Sequence, residues 1–229
     1  MITIRSLTVS ILCAVFSTPL IFAQDFSRYR EFQFGMNLLA VAKQADVNPS
    51  EAKMIHQRPA MIQELEWRLG RPLAASHQAD SVKEVLFSFY NGELFRMVIS
   101  YDRDRTQGLT DEDMIEAISA TYGIATRPAA KIILFSSSHI YNDSEKVIAR
   151  WEDSQYSFNL FRSSYQPKFG MVVFSKRLDA LARLAVVEAV RRDEQEAPRR
   201  EVERQKKEAQ ENRATEEKAR LSNKEHFRP

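Results

Sequence analysis

Cysteine is nearly absent from this chain of 229 residues: the single one, Cys13, lies in the leading apolar segment. Residues 24–229 contain none, which excludes a disulfide, a thiolate metal site and a cysteine nucleophile from that stretch. Glycine is scarce, with 6 residues, and none of them builds a glycine-rich phosphate loop or a Gly-x-Ser-x-Gly elbow. The histidines, His56, His77, His139 and His226, are far apart and lack the His-x-x-x-His spacing of a zinc site. No excess of one charge is present: 33 basic and 31 acidic side chains leave a net +2, which gives no electrostatic case for nucleic acid as a partner.

Long apolar runs are missing as well. The segment 1–23 has Arg5 as a charged start, then Leu7, Val9, Ile11, Leu12, Ala14, Val15 and Phe16 as a short apolar stretch, then Pro19 and Ala23. This is the pattern of a secretory signal, with cleavage after Ala23 leaving Gln24 as the new terminus. Ser6, Thr8, Ser10, Ser17 and Thr18 interrupt it, whereas a spanning helix wants ~20 mostly apolar residues. Membrane association therefore requires an uncleaved signal. Leu12 and Ser10 before Cys13 make a poor lipoprotein pattern. The expectation is an exported, periplasmic or extracellular protein.

What is present is a folded body. Hydrophobic residues make up 44% of the chain, and 14 phenylalanines are spread through it. Residues 26–34 alternate as a strand, with Phe26, Tyr29, Phe32 and Phe34 on the apolar side. Asn37 caps a helix carrying Leu38, Leu39, Val41, Ala42 and Ala45. Asn48-Pro49-Ser50-Glu51 reads as a second helix start, stopped by Pro59. Met61 to Trp67 alternates as a strand, and 70–80 reads as a loop. Asn91-Gly92 between two β-rich runs, 82–90 and 93–101, predicts a type I′ hairpin. On that turn Phe87 is expected to face Arg96, and both hairpin faces are apolar enough to need cover. Thr110-Asp111-Glu112-Asp113 caps a third helix with Met114, Ile115, Ile118 and Tyr122 on one face, ended by Gly123. A short strand at 132–135 and three strands at 146–152, 155–163 and 169–175 follow, with turns at Asp153-Ser154 and Gln166-Pro167. Trp67 and Trp151 sit on strand faces as core residues.

The order of hairpin Phe89-Tyr90-Asn91-Gly92-Glu93-Leu94-Phe95, helix end Thr121-Tyr122-Gly123, Trp151 strand and Met171-Val172-Val173 strand resembles a broad group of uncharacterised secreted bacterial α+β proteins. The opening strand, Gly35-Met36 and the helix after them are similar to the small outer-membrane-assembly lipoprotein fold. That fold's lipoprotein cysteine has no counterpart here. The resemblance implies architecture and compartment, and no functional residues.

Residues 176–197 carry a wide apolar face: Leu178, Leu181, Ala182, Ala185, Val186 and Ala189, with Leu184, Val187 and Val190 beside it. That predicts a helix packed on the body. Residues 191–220 then hold 10 Lys/Arg and 9 Asp/Glu, a solvated helix with expected pairs Glu196–Arg200, Glu203–Lys207 and Glu216–Arg220. Pro198 is expected to kink or restart the helix. A coiled coil is not supported, since Val202 and Ala209 share a heptad seam that Glu216 ends.

The predicted class is α+β: a mostly antiparallel sheet with packed helices, then a long charged C-terminal helix. The divisions are a signal at 1–23, a domain at 24–175 in two units of about 24–123 and 124–175, the packed helix at 176–197 and a helical or disordered tail at 198–229. No catalytic, metal or cofactor set is expected. Ser136, Ser137, Ser138, His139 and Asp143 are neighbours in a polar loop, whereas a hydrolase triad is assembled from distant segments. Asp102, Asp104, Thr106 and Asp113 have part of a calcium-loop spacing, but Gln107 stands where glycine is needed and Asp113 where the bidentate glutamate belongs. Asn142-Asp143-Ser144 matches a glycosylation acceptor, relevant only to a eukaryotic secretory route.

The leading expectation is a non-catalytic interaction or envelope-associated module. Its partner would be another envelope protein, met through the sheet face or the tail tip at Phe227 and Arg228. The rival is a small-ligand binder or hydrolase with its site near Arg96, flanked by Phe87 and Tyr90, where a guanidinium among aromatics grips an anion.

Overall fold

The computed structural model describes residues 24–69, 80–133, 144–163, 169–226 and 228. Strands β1 (Arg28–Tyr29) and β2 (Phe32–Gln33) form a tight hairpin, turned at Arg30 with φ 53°. The expected single strand at 26–34 is therefore folded back on itself, yet Phe26, Tyr29, Phe32 and Phe34 are all buried. Helix α1 (Leu38–Gln44) follows, with the Asn37 carboxamide oxygen accepting from the Ala40 N–H at 2.8 Å.

The helix expected from Asn48 is a correction. Pro49–Glu51 is one 3-10 turn, and the chain goes straight into β3 (Lys53–His56). The cap chemistry was real, since Asn48 accepts from the Ser50 N–H at 3.0 Å. Pairing with β4 (Ile62–Arg68) outweighed helix continuation. β5 (Val82–Tyr90) and β6 (Glu93–Tyr101) then form the hairpin at Asn91-Gly92, whose φ values of 50° and 86° are those of the type I′ turn. Short α2 (Arg103–Thr106) and α3 (Asp111–Tyr122) come next, α3 with a complete Thr110–Asp113 capping box. The second half is β7 (Lys131–Ile133), β8 (Ser144–Glu152), β9 (Tyr156–Arg162) and β10 (Phe169–Ser175), running without a loop into α4 (Lys176–His226).

All eight of β3–β10 form one antiparallel sheet in the order β3-β4-β5-β6-β10-β9-β8-β7. Each half is a four-strand meander, and the two join edge to edge through their last strands, β6 and β10. One face holds the main core. The β1–β2 hairpin, α1 and α3 cover it, with Phe32 against Phe87 at 4.7 Å and Tyr122 against Phe158 at 4.7 Å between ring centres. On the other face α4 lies over the first half, packing Leu178 and Ala182 on Ile62 and Phe95. A separate group of Ile132, Val147, Phe161 and Val172 is buried on the second half.

The hairpin turn makes the first test of this fold. A Cβ on Gly92 would meet nothing within 4 Å, so only the positive φ opposes a side chain there. Gly92→Val is expected to cost about 1–3 kcal/mol in a denaturant melt, from backbone strain alone.

Candidate functional site

The hairpin register decides the fate of the expected Arg96 site. A β-bulge between Ser88 and Phe89 shifts the pairing, so Phe87 faces Met97 and Arg96 faces Ser88. The expected Phe87–Arg96 juxtaposition is thus corrected: Phe87 is buried in the main core and Arg96 is on the opposite face. The bulge also places two consecutive residues, Phe95 and Arg96, toward α4. Tyr90 is half-buried against the Phe95–Leu178 group. The three residues do not meet around one cavity.

Arg96 is instead a structural cation, 1% exposed. Its Nη1 donates to Asp179 Oδ1 at 3.0 Å, and Arg183 Nε donates to Asp179 Oδ2 at 2.7 Å. Burial pulls the Arg96 guanidinium below its ordinary pKa, while the Asp179 charge pushes it back. The same row of the sheet carries Glu64, Ser88, Arg96, Phe174, Ser157 and Glu152 side by side on successive strands. α4 closes over this row at Arg96, which is 1% exposed.

The Asp102 region resolves into helix caps. Asp102 Oδ1 accepts from the Asp104 N–H at 2.9 Å and the Arg105 N–H at 3.2 Å, starting α2. Asp113 Oδ2 accepts from the Thr110 N–H and hydroxyl, both at 2.8 Å, starting α3. Among the described residues no cluster of three or more His, Cys, Asp or Glu is placed to hold a metal. Ser136, Ser137, Ser138, His139, Asp143, the 70–79 stretch, the Gln166-Pro167 turn and Phe227 lie outside the described residues. Arg228 is exposed beyond the end of α4.

A concavity of a different kind lies on the main-core side, where α2, α3 and residues 24–30 meet the ends of β6 and β10. Its volume is about 800 Å³. The floor and walls include Tyr29, Tyr101, Met114, Ile118 and Met171, and the mouth carries Asp25, Arg28, Arg30 and Arg105. The sequence reading missed it, because its residues come from five separate elements that only the sheet brings together. The polar groups are partly committed. Arg28 Nε pairs with Asp25 at 3.0 Å. Arg30 grips Asp80 with both Nη atoms, one of them at 2.7 Å, and that bidentate contact holds the Asp80 carboxyl below its ordinary pKa. Burial raises the pKa of Tyr29, and of Tyr101 further, and pushes Tyr122 up to about 12, so all three phenols keep their protons at neutral pH.

Gln24 closes one side. With its amide oriented to satisfy both ends, it donates to the Tyr122 carbonyl at 2.7 Å and accepts from the Gly123 N–H at 3.2 Å. Gly123 has φ 74°, and the Gln24 side chain occupies the space its Cβ would take.

The architecture defines an α+β protein built on one eight-stranded antiparallel sheet with a long C-terminal helix. No family model matches the chain, and no curated protein or solved structure matches it either.

Proposed function

We propose that this chain is an exported, non-catalytic interaction module of the cell envelope, in which a folded body carries a rigid charged arm. The observation that supports it most is the course of α4. Its buried residues end at Ala189, and its last ion pair with the body is Glu196–Arg58 at 2.8 Å. Residues 197–226 are exposed at every position, yet the helix continues through them and through Pro198. At 1.5 Å per residue this exposed stretch extends ~45 Å. The helix does not restart at Pro198: it is continuous from Lys176 to His226, with the one lost backbone bond spanned by the turns on either side.

The arm's ion pairs differ from those expected. Glu196 reaches Arg58 on the body, while Arg204 pairs with Glu201 at 2.8 Å and Glu208 at 3.3 Å, and Lys207 with Glu211 at 3.9 Å. Each is solvent-exposed and screened by water, so singly it contributes little, but they repeat along the helix. No helix among the described residues is long and apolar enough to cross a membrane. The leading segment 1–23, with its signal pattern, supports export of the whole.

A form ending at Ala197 is expected to melt within about 1 kcal/mol of the full chain, because the deleted stretch buries little apolar surface. It should lose more than half of the 51-residue helix from the circular dichroism signal. A large drop in melting temperature would show that the arm packs on the body. For the function itself, the protein should be recovered from the periplasmic fraction with Gln24 as its first residue. In-cell crosslinking should capture an envelope protein with the full chain and lose it with the shortened form. Retention in the cytoplasm, or identical crosslinks from both forms, would count against the proposal.

A further inference from the structure

The pocket beneath α2 and α3 has unused hydrogen-bond donors above apolar walls. Among its mouth residues, Arg28 is neutralised by Asp25 and Arg30 by Asp80. Arg105 has no ion pair among the described residues, which leaves one surplus positive charge at the mouth. Deeper in, Tyr29 and Tyr101 both line the pocket and are buried. Each phenol carries one O–H to donate, and among the described residues neither donates to a carboxylate. The opposite wall is apolar, formed by Leu109, Met114 and Ile118, and Leu109 is left 41% exposed.

We propose that this pocket binds a small amphiphilic carboxylate, its head group on Arg105 and the Tyr29–Tyr101 phenols and its apolar body along Leu109, Met114 and Ile118. Donors without acceptors call for an acceptor-only group, and one surplus cation matches a monoanion better than a phosphate dianion. The exposed leucine calls for an apolar continuation of the same molecule. The volume of about 800 Å³ lies within the range of small-molecule sites. This inference stands apart from the arm and from export, since it concerns only groups on the body.

Calorimetric titration of the full chain with decanoate tests it, with decanol and acetate as the uncharged and tail-less comparisons. One-to-one saturable binding of decanoate is expected, at least about tenfold tighter than either comparison, as a charged hydrogen bond provides. Arg105→Met should weaken decanoate binding by about 10–100-fold. Ala117→Trp, on the exposed rim of α3, should block it by filling the mouth. Both substitutions replace exposed residues, so melting temperatures should stay unchanged and confirm intact folding. No saturable binding, decanol equal to decanoate, or full affinity in either variant would overturn the proposal.

Discussion

Asp179→Ala is expected to lower the stability of the body by about 3–5 kcal/mol, the cost of removing one partner from a buried ion pair. Asp179 is 3% exposed and Arg96 1% exposed, so water does not screen the contact. The substitution takes from Arg96 its 3.0 Å partner on α4, and an arginine cannot shed its proton to escape. Arg183 is 36% exposed and can turn into solvent, so most of the loss belongs to Arg96. Arg96→Met alone should be costly for the mirror reason, leaving Asp179 with Arg183 only. Combining Arg96→Met with Asp179→Leu should recover much of the loss, because matched apolar side chains often equal a buried pair. Urea melts of Arg96→Met, Asp179→Leu and their combination form a double-mutant cycle with the parent. A loss under about 1 kcal/mol for Asp179→Ala would mean that α4 is held by its apolar contacts alone.

This pair also explains why the expected ligand site was misplaced. Alternation from a two-residue turn puts Arg96 opposite Phe87, and a guanidinium among aromatics then reads as an anion grip. One extra residue at the bulge reverses that, since a side-chain period of two makes every single-residue shift a change of face. The extra residue is Phe95, and nothing local to it signals a bulge; Phe95 and Arg96 both meet α4, where Asp179 lies 83 residues beyond Arg96. Local signals succeeded where the chemistry is local. Asn91-Gly92, the Thr110–Asp113 box and the Gly123 helix end are all in place because each needs only its immediate neighbours. Asn48-Pro49 failed for the same reason in reverse: its cap formed, but long-range pairing of β3 with β4 decided what followed. The pocket was invisible because Arg105 is an ordinary surface arginine until Tyr29, Tyr101 and α3 are folded beside it.

The second large effect is expected at Trp151, which ties the second half of the sheet to α3. The indole is 2% exposed, and its Nε1 donates to the Gly123 carbonyl at 2.9 Å and the Ser119 hydroxyl at 3.2 Å. It therefore satisfies the end of α3 from beneath, while Gln24 satisfies it from the side. Trp151→Ala should cost about 3–5 kcal/mol, through the cavity left in the main core. Trp151→Phe keeps much of the volume but removes the only N–H of the side chain, and should cost about 1–3 kcal/mol for the acceptors left without it. The two variants separate packing from hydrogen bonding. Because α3 forms a wall of the pocket, the Phe variant should also speed amide exchange at Tyr122 and Gly123 without unfolding the sheet. Equal losses for both variants would assign the whole effect to the hydrogen bonds. Unchanged exchange at Gly123 in the Phe variant would show that Gln24 alone holds the helix end.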